Sequence, residues 1–150
     1  NSNWHSVINS ITSKYPKIGL LIIGARNERK RSETIAANWN GAILNLCGKT
    51  NPRTSALAMK DAMIYLGHDT GPMHLAALMG LTCVAIFSAR TKPGVWFPHG
   101  SNHSIFYPWD QADKISNKTG FRTAGTSILS IKRNKVIESI LKHLKERQNI

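Results

Sequence analysis

Residues 62–87 hold the pattern that most restricts the fold. Two short apolar runs, Ala62-Met63-Ile64-Tyr65-Leu66 and Thr82-Cys83-Val84-Ala85-Ile86-Phe87, are separated by a turn and one short helical stretch. Near-continuous apolar runs of this length suit strands covered on both faces, as in a parallel sheet. Between them Gly67-His68-Asp69-Thr70-Gly71 reads as a turn, and Pro72 fits the first turn of a helix, where its missing N–H costs no hydrogen bond. Gly80, directly after Met79, supplies the residue type that ends helices in the left-handed conformation. Strand, turn, helix and strand make one βαβ unit, with a right-handed crossover.

The remainder of the chain extends that unit. Trp4, Val7, Ile8 and Ile11 form a helical stripe within Trp4 to Lys14, and Ile18 to Gly24 is an apolar run that reads as a central strand. Asn27 to Asn38 is expected to be helical with Ile35, Ala36 and Trp39 facing inward, Ala42 to Leu46 a strand, and Thr54 to Asp61 a short helix started by Asn51 or Thr50. Residues 88–127 are rich in Gly, Pro, Ser, Asn and Thr and predict loop, apart from a short strand at Ile105-Phe106-Tyr107; residues 110–126 are the candidates for mobility. Ile131, Val136, Ile137, Ile140, Leu141 and Leu144 mark an amphipathic closing helix over Ile131 to Leu144. Strands alternating with helices at these intervals predict an α/β fold with a Rossmann-like, doubly wound parallel sheet. At 150 residues the chain suits one such domain, 1–150, and is too short for two. No internal repeat stands out, and no apolar run is long enough to span a bilayer.

In a βαβ unit the turn after the strand lies at the carboxyl edge of the sheet, where a helix N-terminus presents unpaired N–H groups with partial positive charge. An anion suits that place. Asp69 and Thr70 have the side chains of helix caps, Gly71 leaves room for a ligand to approach the backbone, and His74 offers a further donor. The same residues also serve ordinary caps, and the local pattern by itself leaves both roles open.

Twenty Lys and Arg against eight Asp and Glu give a formal charge of +12, which attracts nucleic acid, anionic lipid or a phosphorylated substrate. The basic clusters, Arg29-Lys30-Arg31 and Lys132-Arg133 to Lys135, carry no interleaved aromatic residues of the kind that stack bases, and solvated helix faces are the plainer account of each. Cys47 and Cys83 both fall in or beside predicted strands, the position of buried, reduced thiols. No Gly-x-Gly-x-x-Gly follows the first strand, where Gly24-Ala25-Arg26-Asn27 stands instead, so a dinucleotide fingerprint is missing. No Asp-x-Asp metal motif occurs.

Asp69-Thr70-Gly71-Pro72-Met73-His74-Leu75-Ala76-Ala77, followed by Gly80 and the strand to Phe87, resembles the signature of family 9 glycosyltransferases, the lipopolysaccharide heptosyltransferases. Leu46-Cys47-Gly48-Lys49-Thr50 is similar to that family's Leu-x-Gly-Lys-Thr turn, and the stretch from Phe87 to Gly100 to its loop ending Trp-x-Pro-x-Gly. Trp4 and His5 resemble the start of the family's second domain. The resemblance implies the C-terminal, donor-binding half of a GT-B fold, with the N-terminal acceptor domain absent from this chain.

It also implies the site. Asp69, Thr70, Gly71 and His74 would surround a donor diphosphate, with Pro72 and Met73 shaping the turn. Glu28 stands where Rossmann-like folds place a carboxylate for ribose hydroxyls, although an acid in the first turn of a helix needs no such role. Lys49 and Thr50 are candidates for the base or ribose, with a turn role as the rival, and Ser88, Arg90 and Lys92 for the sugar or a phosphate. Trp96 and His99 are expected to fold their loop rather than touch the donor. The implied reaction transfers a sugar, heptose from ADP-heptose, to a lipopolysaccharide core hydroxyl with inversion, without metal or other cofactor. The general base is expected in the N-terminal domain, so this chain contributes no catalytic residue and is inactive alone. Partners are then the nucleotide-sugar donor, the phosphorylated glycan acceptor and the N-terminal domain, in a cytoplasmic enzyme held peripherally at an anionic inner membrane. Two alternatives stand beside this: a sugar-nucleotide epimerase of the same architecture, and a basic nucleic-acid-binding module.

Overall fold

A computed structural model describes residues 2–88, 94–108 and 127–148, and among them five helices and five strands alternate as far as β4. Helix α1 (Ser2–Lys14) leads to β1 (Leu20–Ile22), a 3-10 turn (Arg26–Glu28) and α2 (Arg29–Ala36). Then come β2 (Ile43–Asn45), α3 (Pro52–Met59), β3 (Ile64–His68), α4 (Gly71–Leu78), β4 (Thr82–Ile86), β5 (Ser104–Phe106), a second 3-10 turn (Ile128–Ser130) and α5 (Arg133–Gln148). The elements fall where the apolar periodicity sets them, with ends shifted by a few residues. Asn51 is the residue that starts α3: its side-chain oxygen accepts from the Thr54 N–H at 2.8 Å. Gly80, at φ +79°, follows the end of α4 as a left-handed terminator. Arg90, Lys92 and the stretch 110–126 lie outside the described residues.

Side chains alternate between two apolar layers, as buried parallel strands require. Leu20, Ile64, Leu66, Val84 and Ile86 point into a cluster with Val7, Ile8 and Ile11 of α1 and Val136, Ile140 and Leu144 of α5. Leu21, Ile23, Tyr65, Cys83, Ala85 and Phe87 point the other way, against Met59 of α3 and Met73, Ala76 and Ala77 of α4. Helices therefore cover both faces. Trp39 closes the first layer, its indole N–H donating to Ile18 O at 3.0 Å.

The strands form two parallel ladders and not one. In the first, β1 pairs β2 in register Leu20↔Ile43 to Ile22↔Asn45; in the second, the order is β3-β4-β5, with Ile64↔Thr82 and Val84↔Ser104. Between β1 and β3 lies a cavity of about 1290 Å³, lined by both strands. Hydrophobic periodicity assigns faces to a strand but does not name its neighbour, so this division has no signature in the sequence. At the far edge, His143 is buried and ties α5 to β5, Nε2 lying 2.9 Å from Ser104 Oγ and Nδ1 3.2 Å from Glu146 Oε2.

Both cysteines are free and buried. Burial pushes the Cys83 thiol up to about 11, so at neutral pH it holds almost no thiolate, the form that reacts. Under native conditions a thiol-specific reagent is expected to label Cys83 only as fast as the protein unfolds, and to label it at once in denaturant. Rapid labelling of Cys83 in the native protein contradicts this packing.

Candidate functional site

The carboxyl ends of β1, β2 and β3 open toward the mouth of the same cavity, and the residues that line it there include Gly24, Glu28, Thr50, Thr70, Gly71 and His74. Helix α4 supplies the electropositive end. Its N-cap, Thr70, has extended backbone and makes no side-chain capping bond; its hydroxyl donates instead to His68 O at 3.3 Å. Thr70 thus turns its side chain back to the strand; Met73 N–H donates to Thr70 O at 3.0 Å and Pro72 has no N–H, so the Gly71 end of the turn is what faces other acceptors. The following residue, Gly71, has no positive φ, and a Cβ built on it would meet nothing within 4 Å. The fold does not require glycine there, and the space in front of the helix end is open.

Beside that terminus His74 Nε2 lies 3.8 Å from Asp69 Oδ1, both side chains about one-third exposed. Burial pushes the Asp69 carboxyl above its ordinary 3.8, and the attraction of His74 only partly offsets it. A carboxyl raised in the folded state favours the native form when protonated, so its contribution is fully present below the unfolded pKa and is lost as pH rises through the folded one. Asp69→Asn is therefore expected to raise the thermal midpoint at about pH 7 and to leave it unchanged near pH 3. A variant that melts lower at neutral pH would show that the His74 contact outweighs desolvation.

Tyr65 joins the two sides of the site. Burial pushes its hydroxyl above the usual 10.0, a hydrogen bond with Thr70 works against the rise, and Cys83 and Glu28 add to it. The ring folds over Gly67, where a Cβ would meet the hydroxyl oxygen. In the sequence Tyr65 reads as one more apolar strand residue. The alternation of Tyr65 with Gly67 on one face is the signal that marks its room.

The other expected residues divide. Glu28 Oε2 accepts from the Ala25 N–H at 2.7 Å, holding the turn after β1, while its residue still lines the cavity. Thr50 lines the cavity too, Oγ1 lying 2.7 Å from Ser55 Oγ. Gly48 sets that turn: at φ +69° its α-carbon lies so near Arg26 that a Cβ would come within 2.6 Å of the Arg26 backbone. Lys49 is exposed and does not line the cavity, and neither does half-buried Ser88. Pro72 lines it, whereas Met73 is fully buried in the core and shapes the turn from behind. The backbone carbonyl of His99 meets His103 Nε2 at 2.8 Å within the loop. Trp96 does more than fold the loop: it stands edge-on to His74, ring centroids 6.3 Å apart, bringing residues 94–97 to the mouth of the site. Arg29, unremarked in the sequence beyond its charge, binds the carbonyls of Asn45 and Cys47 at 3.1 to 3.3 Å and fixes the end of β2. Among the described residues no cluster of three His, Cys, Asp or Glu is placed to hold a metal, and no helix is long and apolar enough to cross a membrane.

Two solved structures share this architecture. A glycosyl transferase family 9 protein from Veillonella parvula superposes with a TM-score of 0.72 at 18% identity, over 97% of this chain and 41% of its own. The ADP-heptose lps heptosyltransferase II of E. coli superposes with a TM-score of 0.68 at 16% identity, over 97% of this chain and 42% of its own. The chain thus spans about two fifths of the length of these structures, and at such identities they establish the fold. No curated protein sequence matches it. The profile of glycosyltransferase family 9 (heptosyltransferase) matches residues 1–124, which takes in the uncapped helix end, the Gly48 turn and the loop that carries Trp96. The chain belongs to glycosyltransferase family 9.

Proposed function

We propose that this chain is the donor-binding half of a heptosyltransferase, holding ADP-heptose for transfer to a lipopolysaccharide core acceptor with inversion at the anomeric carbon. The observation that carries the reading is the terminus of α4, free of a side-chain cap and fronted by a glycine that packing does not need. The diphosphate lies against that terminus, with His74, braced by Asp69, as an added donor. Glu28 and Thr50, across the cavity mouth, take the ribose and base side. The E. coli protein of the same fold is an ADP-heptose lps heptosyltransferase, which supports the choice of donor and acceptor here.

As the bond to the sugar breaks, the departing diphosphate gains negative charge, and fixed N–H dipoles stabilise that charge more in the transition state than in the ground state. The helix end thereby carries the load that a metal ion carries in other glycosyl transfers. Deprotonation of the acceptor hydroxyl falls to a base in a separate N-terminal domain, so this half binds without transferring. A formal charge of +12 favours a phosphorylated acceptor and peripheral contact with an anionic cytoplasmic membrane face.

Titration calorimetry with ADP, UDP and GDP tests the proposal. ADP is expected to bind with one-to-one stoichiometry and to compete with a nonreactive ADP-sugar. No heat with any of the three sinks the donor-site reading, and preference for UDP or GDP replaces the adenine nucleotide.

A further inference from the structure

Trp96 holds a large apolar side chain out in water. It is 54% exposed and Val95 before it 60%, although the residues that follow are fastened to the rest of the fold. Phe97 packs edge-on against Phe87, ring centroids 5.0 Å apart, and against Tyr107 at 6.2 Å; Pro98 is buried; the His99 carbonyl meets His103 Nε2 at 2.8 Å. The indole is thus presented by an anchored segment, which reduces the ordering that binding would have to supply. A single exposed apolar residue is ordinary, and it is position that gives this one meaning.

Strand β3 pairs with β4 on one side and faces β1 across the cavity on the other. Glu28 and Thr50, after β1 and β2, line the cavity; Trp96, in the connection that follows β4, does not. The terminus of α4 stands between the two groups, and His74 belongs to both, lining the cavity while its ring lies 6.3 Å from the indole, centroid to centroid. A nucleoside diphosphate sugar has base and ribose at one end of the diphosphate and the sugar at the other. With the nucleoside on the cavity side and the diphosphate at the terminus of α4, the sugar reaches the β4 side, where Trp96 stands.

The chemistry of the two surfaces matches. A pyranose ring carries hydroxyls around its rim and a patch of C–H groups on its face, and an aromatic face covers such a patch without competing for the hydrogen bonds of the hydroxyls. The rings of Trp96 and His74 are inclined at 72°, so they do not lie flat on each other and a broad face of the indole stays open. We propose that Trp96 is the platform on which the sugar ring of the donor lies, a specificity residue that tells a nucleotide sugar from the bare nucleotide. The inference rests on the donor-site reading above and adds the seat of the sugar to it.

Calorimetry with ADP and with a nonreactive ADP-heptose separates the two readings. The unaltered protein is expected to bind the ADP-sugar more tightly than ADP. Trp96→Ala is expected to weaken the ADP-sugar about 10-fold, the size of one good aromatic contact, and to leave ADP unchanged. Trp96→Phe, which keeps a smaller aromatic face, is expected to retain most of the preference, and Trp96→Leu, which keeps apolar bulk without a flat face, to lose it. Because the side chain is exposed, all three variants are expected to melt with the unaltered protein. Acrylamide quenching gives a second readout: the ADP-sugar, and not ADP, shields one tryptophan, and that shielding vanishes in Trp96→Phe although the ligand still binds. An ADP-sugar bound no more tightly than ADP, a loss in Trp96→Ala that strikes ADP equally, or no loss at all overturns the platform while ADP binding upholds the donor site. Failure of both ligands to bind the unaltered protein removes the donor site, and the platform with it. Slower sugar transfer by the complete enzyme carrying Trp96→Ala, with affinity for the ADP-sugar intact, means that Trp96 meets the acceptor or another domain, and overturns the proposal as well.

Discussion

Replacement of Phe87 by alanine is expected to lower the free energy of unfolding by about 3–5 kcal/mol, seen as a drop of roughly 6–20 °C in the thermal midpoint. Phe87 is 1% exposed and follows β4 at the carboxyl edge. Its ring meets Phe97 edge-on with centroids 5.0 Å apart, and Tyr107 lies 6.2 Å away. Phe97 and Tyr107 flank the loop and β5 respectively, so this one ring pins both to the sheet. Truncation removes the transfer free energy of the ring and leaves a void that three separate segments would have to close. Chemical denaturation with urea, monitored by tryptophan fluorescence, measures the loss; a cost below about 1 kcal/mol would mean that Phe97 collapses into the space and that the aromatic group is less tightly set than its geometry shows. Because the Phe97 loop also carries Trp96, whose edge faces His74, the same variant should loosen the site as well as the fold.

Gly71→Asp is expected to move stability and ligand binding in opposite directions. An acid in the first turn of α4 complements the helix dipole, a gain of about 0.3–1 kcal/mol, and its Cβ enters open space. The same carboxylate stands where the diphosphate is proposed to lie. Two unit charges about 4 Å apart repel by about 4 kcal/mol at the effective dielectric of a protein surface, so ADP affinity should fall at least ~100-fold. Thermal melts and calorimetry on one preparation read both effects. Retained ADP affinity in a stable variant would place the nucleotide elsewhere, since no unfolding could then be blamed. Gly71→Ala is the milder companion, with stability unchanged or slightly raised and a smaller loss of binding.

Most of the helices and strands were legible in the sequence because their apolar spacing has a direct physical meaning. Val7, Ile8 and Ile11 had to share a helix face, and Cys83, Ala85 and Phe87 a strand face, whatever lay opposite. Element ends were less legible where the partner decides them: the apolar run Ile18 to Gly24 forms a ladder only over Leu20–Ile22, since β1 has a neighbour on one side alone. The gap beside it was invisible for the same reason. In the site, the turn from Asp69 to His74 could be found from the strand before it and Pro72 after it, but not the inward direction of Met73 or the turning of the Thr70 hydroxyl toward His68. Tyr65 and Trp96 were overlooked as site residues because an aromatic residue in a strand or loop looks the same whether it packs on apolar neighbours or on a histidine. Arg29 was hidden in a basic run, where only the fold reveals that it binds the backbone carbonyls of Asn45 and Cys47 while pairing with Glu33.

The free terminus of α4 also sets the rhythm of binding. A helix end occupied by its own side chain has to release that side chain before it can receive a ligand, and the observed rate then levels off at the rate of release. With the Thr70 hydroxyl already engaged at His68 O, no capping side chain among the described residues has to be released. Association of ADP should accordingly be a single step, its observed rate rising linearly with nucleotide concentration in stopped-flow mixing and slowing with added salt as the attraction of a +12 protein is screened. A plateau at high nucleotide concentration would reveal a gate that the geometry of this turn does not contain. In the donor site proposed above, affinity is decided chiefly by how long the diphosphate stays, which sets the time available to whatever group completes the transfer.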